Sequence, residues 1–164
     1  MYISEQLGQF GSNFHAVDVN EEVMHHAKRA IVDWYAALIP GYVMEPTPLL
    51  EKAYAEDLER GKARLALGRM ATTRTAALIN GSASHTAEVD DIFKEAIYHP
   101  GAPTISAALA VAQQEGASGL ELIKAVIVGY EVSTRIGKVL GRTHYKFWHN
   151  TGTVGTFGAA AAAA

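Results

Sequence analysis

The sequence predicts an all-α fold. Three observations carry this expectation. Apolar residues recur at three- and four-residue steps through several long segments, and capping residues and breakers bracket those segments. No alternation suited to a strand competes with them over more than a few positions.

The first clear helix starts after Asp18 or Asn20, either of which can cap it, and Glu21 and Glu22 in its first turn complement the helix dipole. Val23, Ala27, Ala30, Ile31, Trp34 and Leu38 then share a face, leaving His25, His26, Lys28, Arg29 and Asp33 mostly elsewhere. Pro40-Gly41 is expected to stop this helix. A loop carrying Pro46 and Pro48 leads into a charged amphipathic segment from about Leu49 to Leu58, and Arg60-Gly61 reads as a break. From Ala71 to His85 the residues are small and mostly apolar, which lets helices approach closely. Pro103 to Gln114 has a helical start with proline in its first turn, and Gly116 ends it. Ser118 caps a long helix whose Leu122, Ala125, Val126, Gly129, Val132 and Ile136 form one face, ending near Gly141. After a loop from Arg142 to Asn150, Thr151 to Ala164 reads as another buried small-residue helix. That run has high helix propensity and no C-cap, so the chain is expected to be part of a longer one.

Composition excludes several functions. The 164 residues carry 14 Lys and Arg against 17 Asp and Glu, a formal net charge of −3, and are 49% hydrophobic, which suits a packed core. Zero cysteine excludes disulfides, thiolate zinc sites, iron–sulfur clusters and a cysteine nucleophile. The lack of a Lys/Arg run argues against nucleic acid as a partner. No apolar stretch reaches the roughly 20 residues of a membrane span, and the N-terminus lacks the order of a signal peptide, so a cytoplasmic location is expected. No metal motif is present: His25 and His26 are adjacent and diverge by about 100° on a helix, and neither H-E-x-x-H nor a calcium loop occurs. G-x-S-x-G, Walker and G-x-G-x-x-G patterns are absent as well.

Three polar clusters could carry chemistry. His85-Thr-Ala-Glu88-Val-Asp90-Asp91 places three carboxylates close together, and like charges raise at least one pKa if they are desolvated; the alternative is a solvated helix end. Tyr98-His99-Pro100 fixes a histidine in extended backbone, which also suits a plain loop residue. The segment Arg142 to Thr156 offers Arg142, Lys146 and His149 ahead of the hydroxyl of Thr151 and a helix N-terminus. That is a corner suited to carboxylates, or simply a capping threonine with structural aromatics.

Taken in order, Asn80-Gly81 before His85, then Glu88-x-Asp90-Asp91, His99-Pro100, Gly129-Tyr130-Glu131-Val132 and His149-x-Thr151-Gly152 with the alanine helix resemble the MmgE/PrpD family. The resemblance runs from about Ala30 to the last residue. It implies residues 1–164 as the N-terminal part of a large helical domain, without the smaller α/β lid domain. It also implies a homodimer, no metal or other cofactor, and a small di- or tricarboxylic acid as substrate. By position, Glu88 takes the place of the family's first acidic residue, often Asp; Asp91 closes that signature, and His99 and His149 match its two histidines. Ile92 replaces a hydroxyl residue found in some members, and with Glu88 this weighs against cis-aconitate decarboxylation.

The expected function is therefore a metal-independent lyase of the 2-methylcitrate dehydratase type, with proton transfer at a carbon next to a carboxylate. His99, His149, Glu88 and Asp91 are the candidate catalytic residues, and Arg142, Lys146, Thr151 and His85 the substrate-binding ones. An amino-dicarboxylate epimerase, a cis-aconitate decarboxylase and a non-catalytic helical fragment are the alternatives.

Overall fold

A computed structural model describes residues 1–14 and 18–164, and its architecture is helical. In order along the chain come α1 (Ile3–Asn13), α2 (Glu21–Tyr42), α3 (Thr47–Ala53), a 3-10 turn (Ala55–Asp57), β1 (Leu58–Arg64), β2 (Met70–Ala71), α4 (Thr73–Thr86), α5 (Gly101–Glu115), α6 (Gly119–Tyr145) and α7 (Asn150–Ala163). Helix α5 packs on α2, α4, α6 and α7, so it forms the centre of the bundle. Trp34, Leu38, Ile79, Ala83, Ile105 and Val126 belong to the main core, and Ala96, Tyr98 and Val154 form a smaller one beneath the loop between α4 and α5.

Helix α2 is capped by Asn20, whose side chain accepts from the Val23 amide, rather than by Asp18. Helix α2 ends at Tyr42, one residue past the expected Pro40-Gly41 stop, with Pro40 in its last turn. Gly41 has a packing role as well. A Cβ on Gly41 would lie 1.9 Å from the Ala83 carbonyl oxygen, so α2 and α4 meet backbone to backbone there. The buried Trp34 indole donates to Ser106 Oγ (3.1 Å), tying α2 to α5.

The charged amphipathic segment expected from about Leu49 to Leu58 is helical only to Ala53 and then in a 3-10 turn, and the break at Arg60-Gly61 lies inside a strand. β1 pairs antiparallel with β2, and the register shifts between Leu58 and Ala63, where Glu59 and Gly61 have positive φ. This hairpin is held largely by side chains from the helices. Asn80 Nδ2 donates to the Arg64 carbonyl (2.8 Å) and its Oδ1 accepts from the Ala66 amide (3.1 Å). Gln113 and Gln114 of α5 accept from the Arg64 and Lys62 amides. These bonds satisfy backbone groups that a two-strand ribbon would otherwise leave unpaired.

Helix α5 begins at Gly101 and ends at the left-handed Gly116. Ser118 and Glu121 form a capping box at the start of α6. Gly141 takes a non-helical conformation (φ 57°, ψ −159°), so the run from Gly119 breaks there as expected, and helical geometry resumes over Arg142, expected in a loop, to Tyr145. Helix α7 begins at Asn150, and Asn150 donates from its side chain to the Ala96 carbonyl. Among the described residues, no helix is long and apolar enough to cross a membrane.

Candidate functional site

The loop between α4 and α5 folds back so that two histidines meet at one carboxylate and a third joins them by ring stacking. His85 comes from the last turn of α4, His99 from the end of the loop, and His149 from the residue before α7. Asp90 lies between His85 and His99 with its side chain 1% exposed. Its Oδ2 lies 2.9 Å and its Oδ1 3.2 Å from His85 Nδ1, while His99 Nδ1 lies 3.5 Å from Oδ2. The His85 and His99 rings have centroids 4.7 Å apart, and His149 stacks on His85 at 5.9 Å. Thr151 Oγ1 accepts from the His99 amide (3.2 Å), which joins the loop to α7. Thr151 is thus a bridge between segments, since the residue in the cap position of α7 is His149, and its side chain makes no capping bond.

His85, His149 and Thr151 border a cavity of about 480 Å3 between α4, the start of α5 and the start of α7. His85, His149, Thr151 and Ser82 give the wall its polar chemistry, and Ala77, Leu78 and Pro103 its apolar part. The hydrogen bond that His85 donates to Asp90 holds the His85 pKa above its ordinary value, overcoming the opposing effect of burial. Burial, followed by repulsion from His85 and His99, pushes His149 below its ordinary value. One imidazole is thus biased toward its protonated form and its neighbour toward the neutral form.

The other residues singled out from sequence lie apart from this cavity. Glu88 is exposed, with φ at 50° just after α4. Asp91 points the other way from Asp90: it accepts from the Gly101 amide (3.0 Å) and the Tyr130 hydroxyl (2.9 Å), and lines a second cavity of about 590 Å3 with His26, Arg29 and Asp33. Burial raises its pKa, and those two hydrogen bonds only partly offset the effect. Arg142 and Lys146 are exposed at the end of α6 and do not line the His85 cavity. Asp90 and Tyr130 carry roles that motif reading did not assign to them, although both stand within quoted motifs. His144 Nε2, 3.1 Å from Thr153 Oγ1, further ties the end of α6 to α7.

Residues 5–164 match the MmgE/PrpD N-terminal domain. The chain belongs to the MmgE/PrpD family. It is 29% identical over 147 residues to the cis-aconitate decarboxylase of Aspergillus terreus, covering 84% of this chain and 29% of that protein. It is 24% identical over 170 residues to the cis-aconitate decarboxylase-like protein oryM of Aspergillus oryzae, covering 98% of this chain and 35% of that one. The chain spans about a third of the length of these relatives.

Proposed function

We propose that this chain contributes the histidine-lined part of a metal-independent lyase site for a small di- or tricarboxylic acid. The observation that carries the reading is the stacked pair of His85 and His149 at a cavity wall, with His85 held from behind by buried Asp90 beside His99, in a family whose relatives include a cis-aconitate decarboxylase. In this reading, His149 is the base that takes a proton from a carbon next to a substrate carboxylate. His85, held by Asp90 through Nδ1, keeps its Nε2 for the ligand and supplies a positive charge or a proton. In a dehydration, the proton lost from carbon goes to His149, the carbon–oxygen bond breaks, and the proton from His85 leaves with the hydroxyl as water. Glu88 adds negative charge near His85 and His149, and Thr151 keeps His99 in position. Arg142 and Lys146 act as long-range attraction for the anionic substrate.

The finer assignment is dehydration of the 2-methylcitrate type, supported by Glu88 and Ile92 at the positions where the family pattern carries Asp and a hydroxyl residue. Decarboxylation of cis-aconitate is the second reading, favoured by the names of the relatives. Incubating the protein with each acid separates them. Dehydration adds ultraviolet absorbance from a new carbon–carbon double bond, and decarboxylation releases carbon dioxide. Racemisation of an amino-dicarboxylate without either signal would move the assignment to an epimerase. No conversion of any of the three acids would overturn the proposal. Cytoplasmic location and a homodimer accompany this reading, and fractionation and sedimentation test them.

A further inference from the structure

We propose that His85, Asp90 and His99 bind a divalent transition-metal ion of borderline softness, with Zn2+ as the type case. Each residue offers one ligand atom, and these atoms all lie within 4.8 Å of one another. Two imidazole nitrogens and one carboxylate form the kind of three-ligand set that holds such an ion with a further position open. The separations are within reach of a metal geometry. Bonds of roughly 2.1 Å in a tetrahedron set ligand atoms about 3.4 Å apart; Asp90 Oδ2 and His99 Nδ1 are already 3.5 Å apart, and His85 Nδ1, hydrogen-bonded at 2.9 Å, has to give up that bond and draw back slightly. A second observation points the same way. His99 Nδ1 is buried and makes no hydrogen bond, so it is a nitrogen facing a carboxylate without a proton-sharing geometry. An ion would give it a partner and would balance the charge of Asp90, which is almost fully withdrawn from solvent.

Access and an open coordination position come from the same geometry. His85 lines the 480 Å3 cavity, through which an ion enters and a water or a carboxylate completes its coordination. The donors come from α4, from the loop and from its end, so sequence spacing hides them. The inference rests on this donor set and not on the lyase reading. Under that reading, the ion displaces the proton from the His85 Nδ1 that Asp90 holds and leaves His85 unable to act as a cationic proton donor, so it acts as a reversible inhibitor and not as a cofactor.

The test is calorimetric titration of the purified protein with zinc chloride in a non-chelating buffer, without any substrate. One ion binds per chain in the expected result. Asp90→Asn and His99→Gln each weaken binding by about tenfold or more, with circular dichroism reporting that each variant is folded, while the double variant His25→Gln/His26→Gln leaves affinity unchanged. Nitrogen NMR of the histidine rings in the unmodified protein keeps the test valid if a variant misfolds: Zn2+ must shift the His85 and His99 ring nitrogens. Absence of binding, unchanged affinity in folded Asp90→Asn and His99→Gln, or shifts confined to other histidines would overturn the site. Since none of these readouts uses turnover, failure here and failure of the lyase assignment are told apart.

Discussion

Asp90 and Asp91 are adjacent in sequence and do unlike work. Asp90 organises imidazoles, whereas Asp91 anchors the first turn of α5 and the hydroxyl of Tyr130 on α6. Asp91→Ala leaves the Gly101 amide and the buried Tyr130 hydroxyl unpaired, and is expected to cost about 1–3 kcal/mol in a denaturant titration. At the histidines, the opposed shifts of His85 and His149 set an order of protonation: as pH falls, His85 gains its proton before His149, which ring-proton NMR titration reads directly. The His85–Asp90 attraction stabilises the fold below the ordinary histidine pKa and is lost as pH rises through the raised value. His149 occupies a helix cap position without making the capping bond. His149→Ser is therefore expected to raise thermal stability by about 1 kcal/mol through capping, while removing an imidazole from the cavity and lowering activity.

At the scale of elements, close helix crossings set the frame that holds the histidine-bearing ends. A Cβ on Gly129 of α6 would lie 2.4 Å from Thr104 Cγ2 on α5, 2.7 Å from the Gly158 carbonyl oxygen and 2.8 Å from Ala162 Cβ on α7. Gly129→Ala is expected to destabilise by about 1–3 kcal/mol, visible as a lower melting temperature, because a backbone oxygen cannot move aside. Helices α2, α5 and α6 were legible in the sequence because their apolar residues repeat at helical spacing between recognisable caps. The hairpin was not legible: β1 buries only Leu58 and Ala63 among seven residues, so no alternation marks it. Its pairing depends instead on Asn80, Gln113 and Gln114 from distant helices. Pro40-Gly41 and Gly141 were legible as breakers, since α2 ends at Tyr42 and α6 breaks at Gly141; the helical turn that resumes from Arg142 was not. Of the candidate site, His85, His99, His149 and Thr151 were legible as motif members. Which of two neighbouring aspartates would face them was not, because the backbone turn after the left-handed Glu88 decides it.

Across the whole molecule, acid stability depends on where carboxylates are paired. Asp57 ends the 3-10 turn and accepts from Thr75 Oγ1 (2.7 Å) and Arg74 (2.9 Å) at the start of α4. These bonds, with the threonine the larger cause, lower its pKa. Its contribution is complete above the ordinary aspartate pKa and is lost as pH falls through the lowered value. Asp91 has the opposite sign, because its raised pKa means that neutral pH costs stability which protonation restores. Melting curves at descending pH should therefore show Asp57→Asn losing less stability on acidification than the unaltered chain. The bonds that close the site also span long stretches of sequence: His99 to Thr151 and Asn150 to Ala96 link the loop to α7 across more than fifty positions. Such contacts form late when a chain folds, since distant ends must be brought together before any gain is realised. During synthesis from the N-terminus, His85, Asp90 and His99 emerge well before His149, so the complete trio marks a chain in which α7 has docked.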